Sequence, residues 1–275
     1  MMPETSQLSI NLATVRARYE IGEILDAVAR HGIPAVAPWR DQIASIGLKE
    51  TSKRIRDLGL KVSGVCRGGM FPAADKATFE ANLEDNVRAV EEAAELDAAC
   101  LVLVVGGIPE GSRDLAGARR QVRDGIAWLE ERASAAGVRL AIEPLHPMYC
   151  ADRAVVNTMG HALDICEDVG GNVGVACDVY HVWWDPDLDA QIRRAGKAKL
   201  HAFHICDWLR DTRDLLLDRG MMGDGVIDIR GIREKVEAEG FDGFHEVEIF
   251  SRDDWWKRDI DEVLSTCIER HKSCC

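Results

Sequence analysis

The sequence has no surplus of positive charge, no membrane-length apolar run and no paired-cysteine motif, and each absence removes a class of function. Lys and Arg number 34 against 47 Asp and Glu, a formal net charge of −13. Nucleic-acid binding needs clustered cations that displace counterions from phosphates, so this charge works against a polyanionic partner. No apolar run approaches the roughly 20 residues that cross a bilayer. Met1 to Ser6 lacks a basic start followed by an apolar core, so the reading is a cytoplasmic protein with no membrane partner. The nine cysteines contain no C-x-x-C pair, and Cys100, Cys177 and Cys206 fall within apolar, strand-like runs. They read as reduced core residues, and Cys274-Cys275 as a pair exposed by position. No G-x-G-x-x-G turn follows the first strand and no Walker loop occurs, which removes the main support for dinucleotide or nucleotide binding.

What is present is a regular alternation of short apolar runs with longer stretches of helical period. Strands are predicted at Leu8 to Leu12, Ala35 to Pro38, Val62 to Val65, Cys100 to Val105, Arg139 to Ile142, from Val173, at Leu200 to Cys206 and at Phe244 to Phe250. Helices are predicted between them: about Tyr19 to His31, one continuing through Arg56, then Lys76 to Leu96, Leu115 to Ala136, Ala162 to Val169, Leu188 to Ala195 and Arg230 to Glu239. A last helix is predicted over about Asp254 to Arg270. Arg67-Gly68-Gly69 reads as a loop, either a close approach to a ligand or a simple turn. Eight strand-helix units without a composition break fit a closed (β/α)8 barrel, an α/β TIM barrel forming a single domain over residues 1–275. An open doubly wound sheet is the alternative.

Chemistry gathers at the predicted strand exits. The run from Val173 is apolar on both faces and then ends in Asp178, His181 and two tryptophans, as a buried parallel strand does when its carboxyl end faces a pocket. Glu143 ends the fifth strand, and the seventh carries His204. Glu246 and Glu248 share one face of the eighth, and the spacing alone does not say which of them points into the site. Taken singly, a strand-end acid caps a helix and a strand histidine satisfies its hydrogen bonds in the core. In a barrel, however, Glu143, Asp178, His204 and Glu248 converge on one rim, and three carboxylates with one imidazole make a site for one divalent cation, Mn²⁺, Mg²⁺, Co²⁺ or Zn²⁺. Trp39, Trp183, Trp184, Trp255 and Trp256 read equally as a wall stacking on a sugar ring or as core or interface packing. Arg213 and Arg219 read either as contacts to a substrate phosphate or as solvated loop charges, and the solvated reading is favoured because no glycine-rich anion nest accompanies them.

The chain resembles the xylose-isomerase-like barrel superfamily, which includes ketose 3-epimerases, inosose isomerases and hydroxypyruvate isomerases. The resemblance is carried by Ala141-Ile142-Glu143-Pro144-Leu145, Asp178-Val179-Tyr180-His181 and His204-Ile205-Cys206-Asp207 with Arg210. It continues through Gly223-Asp224-Gly225-Val226-Ile227-Asp228, Gly240-Phe241-Asp242-Gly243 and Val247-Glu248-Ile249-Phe250. It is good over the second half and architectural over the first. It implies Glu143, Asp178, His204 and Glu248 as metal ligands, with Glu246 behind them. Glu143 and Glu248 are implied as the catalytic acid-base pair, and His181 and Arg210 as contacts to substrate oxygens. His146-Pro147 and the tail from Phe250 to Trp256 are similar to inosose isomerases, whereas Arg210 is similar to the ketose epimerases. The implied activity is a metal-dependent isomerisation or epimerisation of a sugar or keto-polyol through an enediolate. A dehydratase acting on a keto-polyol or dehydroshikimate, or a non-enzymatic metal-binding subunit, is the alternative. Fold-level analogy also allows a homo-oligomer.

Overall fold

The computed structural model describes residues 2–275. Its strands are β1 (Leu8–Asn11), β2 (Ala35–Ala37), β3 (Lys61–Val62), β4 (Val65–Gly69), β5 (Leu101–Val104), β6 (Leu140–Ile142), β7 (Val173–Asp178), β8 (Leu200–Ile205) and β9 (His245–Val247). All neighbouring strands run parallel, in the order β3-β2-β1-β9-β8-β7-β6-β5-β4. The two ends of this order are halves of one stave. Ser63 N donates to Val36 O at 3.0 Å and Cys66 N to Pro38 O at 3.1 Å on one side, while Ala99 N donates to Val62 O and Val65 N to Cys100 O, both at 3.0 Å, on the other. The nine strands therefore close an eight-stave barrel, with one stave interrupted at Ser63-Gly64. The open-sheet alternative is excluded by those bonds.

The helices are α1 (Ile21–Arg30), α2 (Arg40–Ile46), α3 (Leu48–Asp57), α4 (Lys76–Glu95), α5 (Leu115–Ala135), α6 (Met159–Val169), the single turn α7 (Val179–Val182), α8 (Leu188–Lys199), α9 (Ile229–Ala238) and α10 (Ile260–Cys274). Their apolar stripes face the strands: Ile21, Ile24, Leu25 and Val28 on α1, and Val122, Ile126 and Leu129 on α5, are all buried. Most of the core lies in this layer between helices and barrel. Inside the barrel the packing is different. A separate cluster of small side chains, Cys66, Cys100, Val102, Ala141, Ala176 and Ala202, fills the centre with Trp39 against it. Small residues there leave room for buried polar groups above them.

Three predicted elements come out differently. The helix expected to run through Arg56 breaks at Gly47, whose φ of 90° lies outside the helical region, giving α2 and α3. Arg67-Gly68-Gly69 is strand rather than loop: Gly68 and Gly69 pair with Leu103 and Val104, and the Asn86 side chain accepts from Gly69 N (2.6 Å) and donates to Gly69 O (2.7 Å). The last helix starts later than expected, because Asp259 caps it by accepting from Asp261 N at 2.9 Å. Its end packs inward, so Cys275 is buried instead of exposed. All nine cysteines are free thiols, with Cys100, Cys177 and Cys206 in the interior.

Candidate metal and substrate site

Parallel pairing sets the depth of the site. Asp178 ends β7 and lies in register with His204 of β8, which in turn lies in register with Glu246 of β9. Glu143 follows β6, its backbone N–H bonded to Leu103 O (3.1 Å), and Glu248 follows β9, its N–H bonded to Ile205 O (3.1 Å). Each acid is thus fixed by the ladder at a strand exit. One donor atom from each of Glu143, Asp178, His204 and Glu248 lies within 4.8 Å of the other three, and all four residues are buried.

Such a cluster is short of positive charge. Burial pushes the Asp178 carboxyl up to about 6, even with Arg219 pulling it down. Burial pushes Glu248 further, to about 8, with Glu143 adding to the rise against Arg219. Burial alone would keep His204 neutral, but Glu246, Glu143 and Glu248 outweigh it and hold its pKa well above the ordinary imidazole value. His204 Nδ1 bonds Glu143 Oε1 at 3.0 Å. Carboxylates that are forced to take up protons, around an imidazole forced to keep one, fit a site whose charge is completed by a divalent cation. Three oxygen donors and one nitrogen suit the hard or borderline ions.

The parity of β9 distinguishes the two glutamates. Both face the barrel axis, and Asn11 Nδ2 reaches both, Glu246 Oε1 at 2.8 Å and Glu248 Oε1 at 3.0 Å. Glu246 lies deeper, bonded to Ser63 Oγ at 2.7 Å and 3.5 Å from His204 Nε2. Glu248 is the member of the cluster, and Glu246 stands behind it. Asn11 is a site residue that hydrophobic patterning passes over: a polar residue at the exit of β1, where the other acids leave their strands, is the signal that marks it. Its Oδ1 accepts from Trp39 Nε1 at 2.7 Å.

The arginine that lines the cavity over the cluster is not the one expected. Arg210 is exposed and does not line the cavity over the cluster. Arg219, read from sequence as solvated, is buried there. The loop after β8 folds back through a reciprocal backbone pair, Asp207 N to Gly220 O and Gly220 N to Asp207 O, both 2.9 Å. That return places Arg219 between the rings of Tyr180 and Phe250, with Nη1 2.9 Å from Glu248 Oε2 and 3.4 Å from Asp178 Oδ2. Arg213 behaves as expected, exposed and paired with Asp218 at 3.0 Å.

His181 is also brought in. The backbone N–H of His146 donates to its Nδ1 at 3.2 Å, and burial together with Arg219 holds its pKa well below the ordinary value. A neutral ring bonded in this way carries its proton on Nε2. That N–H lies 3.2 Å from Arg219 Nη2, and Asp178 Oδ2 stands 3.6 Å from His181 Nε2 and 3.4 Å from Arg219 Nη1, so two donors converge at the edge of the acidic cluster. The cavity above has a volume of about 130 Å³ and is lined by Glu143, Glu248, His181, Arg219, Tyr149 and Trp39 among others. Of the five tryptophans singled out, Trp39 lines it. Trp184 and Trp256 spend their N–H groups on His181 O and Ala13 O, both at 2.8 Å, and Trp183 packs on Trp208.

A family model described as xylose isomerase-like TIM barrel matches residues 25–267. The chain belongs to that family. Among solved structures, this xylose isomerase-like barrel is 61% identical to protein SMc04130 from Sinorhizobium meliloti 1021, with 99% of each chain covered and a TM-score of 0.97. It is 20% identical to an IolI protein with a bound zinc atom, with 96% of each chain covered and a TM-score of 0.84. It is 19% identical to a D-psicose 3-epimerase solved in the presence of D-fructose, again with 96% of each chain covered and a TM-score of 0.78. At these lower identities the likeness is one of fold. Among curated proteins no match was found.

Proposed function

We propose that this barrel is a divalent-metal-dependent isomerase or epimerase of a sugar or keto-polyol, working through an enediolate. One observation carries the reading: the donor atoms of Glu143, Asp178, His204 and Glu248 lie within 4.8 Å of one another beneath a cavity that Glu143 and Glu248 also line. The zinc bound to the IolI protein and the fructose present with the psicose epimerase are consistent with a metal and a ketose here.

When bound, the cation would be held by those four residues and would act as a Lewis acid on the substrate's carbonyl. The remaining work falls to side chains. His181 Nε2–H and Arg219 Nη2–H converge 3.2 Å apart and would donate to one substrate oxygen. Glu143 and Glu248 stand at the exits of β6 and β9, on either side of Asp178 and His204 along the rim. One would take the proton from the carbon beside the carbonyl, leaving its electron pair in the enediolate, and the other would return a proton to carbon. Asn11 and Arg219 each bond one oxygen of Glu248 and so fix its orientation. The Trp39 ring supplies an apolar wall for the carbon face of a sugar.

Incubation in D₂O with Mn²⁺ and a panel of ketoses, inososes and dehydroshikimate, followed by NMR and mass spectrometry, tests this. Deuterium gained at a carbon beside the carbonyl with the skeleton intact is expected. Loss of water instead would assign dehydratase chemistry, and no reaction across the panel would remove the support for an enzyme of this class.

A further inference from the structure

The outer part of the pocket contains a cation without a counter-charge. A second cavity of about 350 Å³ shares Trp39 and Arg67 with the inner one, so the two are adjacent and have Arg67 at their junction. The inner cavity alone is smaller than the roughly 300–1,000 Å³ of ordinary small-molecule sites, and the second brings the space into that range.

The two acids that line the outer cavity with Arg67 are already engaged. Asp41 pairs with Arg16, and Asp85 pairs with Arg40 at 2.7 Å. Arg67 itself makes no hydrogen bond or ion pair among the described residues, although it is half-buried on β4 between buried neighbours. Arg153, on the loop between β6 and α6, lines the inner cavity as well, and its one ionic neighbour is the exposed Asp152 at 3.6 Å. Both cations line the same cavity as Val104 at the exit of β5. Burial lowers the pKa of Arg67, and Arg153 lowers it further. A third group completes the seat: the Tyr149 hydroxyl is buried in this wall and has no hydrogen-bond partner.

A protein that placed Arg67 for structural reasons would give it a carboxylate, since a half-buried guanidinium without one is costly and a second cation beside it adds to the cost. Two arginines and an unpartnered phenol around one space match the donors that a carboxylate or phosphate accepts. We propose that the substrate carries such an anionic group, seated by Arg67 and Arg153 with Tyr149 while its keto end reaches the Glu143–Glu248 cluster. This rests on the keto-polyol reading given above and narrows its substrate class to acidic or phosphorylated keto-polyols.

The test is calorimetric titration of the Mn²⁺-loaded full chain with three probes of similar size: D-fructose, D-fructose 6-phosphate and 5-keto-D-gluconate. At least one anionic probe is expected to bind about tenfold to a hundredfold more tightly than fructose, the gain of one or two charge-assisted hydrogen bonds. Whichever gains more identifies the group as phosphate or carboxylate. In Arg67→Gln the preference should collapse to within about twofold, Arg67→Lys should restore part of it, and Arg153→Gln should reduce it independently if Arg67→Gln folds poorly, as circular dichroism would show. Equal affinity for fructose and both anionic probes, no measurable binding of either anionic probe, or a full preference retained in both Gln variants would overturn the proposal. Deuterium exchange run in parallel separates it from the reading beneath it. Anionic preference without exchange at carbon would leave the seat standing and remove the isomerase, whereas exchange on fructose without anionic preference would do the opposite.

Discussion

Glu248 is where the competing demands on this site meet. It must stay ionised to ligate a cation or accept a proton, yet burial drives its pKa up to about 8. Asn11 and Arg219 oppose that drive with one hydrogen bond to each of its oxygens. Glu248→Gln keeps the shape and removes the charge and the basicity, so turnover on an accepted substrate should fall by about a hundredfold to ten-thousandfold with the fold intact. An active variant with normal metal content would rule out the acid-base assignment. Arg219→Ala should act through two routes, loss of the donor beside His181 and loss of the counter-charge of Glu248. Both kcat and the metal affinity at pH 7 are then expected to drop, with metal affinity partly recovered at higher pH as Glu248 ionises. A variant that loses activity while its metal affinity and pH profile are unchanged would show that Arg219 acts on the substrate alone. These residues also mark the limit of what could be read in advance. The acids and His204 were legible because parallel strands expose charge at their exits and hide it elsewhere. Arg219 was not, because its position depends on how a long loop returns through Asp207 and Gly220, which strand periodicity does not encode.

That loop is organised around one buried carboxylate. Asp207 accepts four backbone N–H bonds: from Trp208 at 2.9 Å, Gly223 at 2.9 Å, Gly225 at 2.9 Å and Ile227 at 3.0 Å. Gly225 fits only without a side chain, since a Cβ there would sit 2.2 Å from Trp208 O. The Gly223-Asp224-Gly225 sequence is therefore the wrapping of an anion by amides, and the anion belongs to the chain itself. Asp207→Ala would leave those donors unsatisfied and should cost on the order of 3 kcal/mol, lowering Tm by about 6–10 °C. Because Arg219 lies inside the same loop, activity should fall together with stability. A stable and active Asp207→Ala protein would mean that the loop holds without its anchor. The barrel's repeating units were legible at this scale from apolar period alone. The interruptions were not: the break of the third stave into β3 and β4 and the division of α2 from α3 come from local backbone geometry at Ser63-Gly64 and Gly47, and hydrophobic patterning reads through both.

At the scale of the whole molecule, a cation in the acidic cluster would couple folding to metal, and the lower barrel couples it to pH. A cation that completes the cluster binds the folded chain alone. Mn²⁺ at a hundred times its Kd should therefore add about 2.7 kcal/mol, raising Tm by about 5–10 °C, and Asp178→Asn should abolish the rise. The second coupling lies at the opposite end of the barrel from the site. His245, at the start of β9, bonds His271 of α10 through Nδ1 and Nε2 at 2.9 Å, with Arg233 and Glu237 alongside. Burial, with Arg233 and the partner ring adding to it, pushes His245 down to about 3, and burial with Arg233 and Lys272 pushes His271 down to about 4. Both are neutral when folded at pH 5, whereas in the unfolded chain they protonate near pH 6.5. Between those values the unfolded state binds more protons, so the stability these rings contribute is complete above about pH 6.5 and is lost as pH falls toward 4 and 3. From pH 7 to pH 5 the loss is roughly 2 kcal/mol for each histidine. His204 works in the opposite sense, because its raised folded pKa makes protonation favour the native state, so the net acid sensitivity of the protein understates the contribution of the pair. The informative quantity is a difference: urea unfolding at pH 7 and pH 5 should show His271→Gln losing about 2 kcal/mol less than the parent protein on acidification, and equal losses would mean that the pair already carries a proton in the native state.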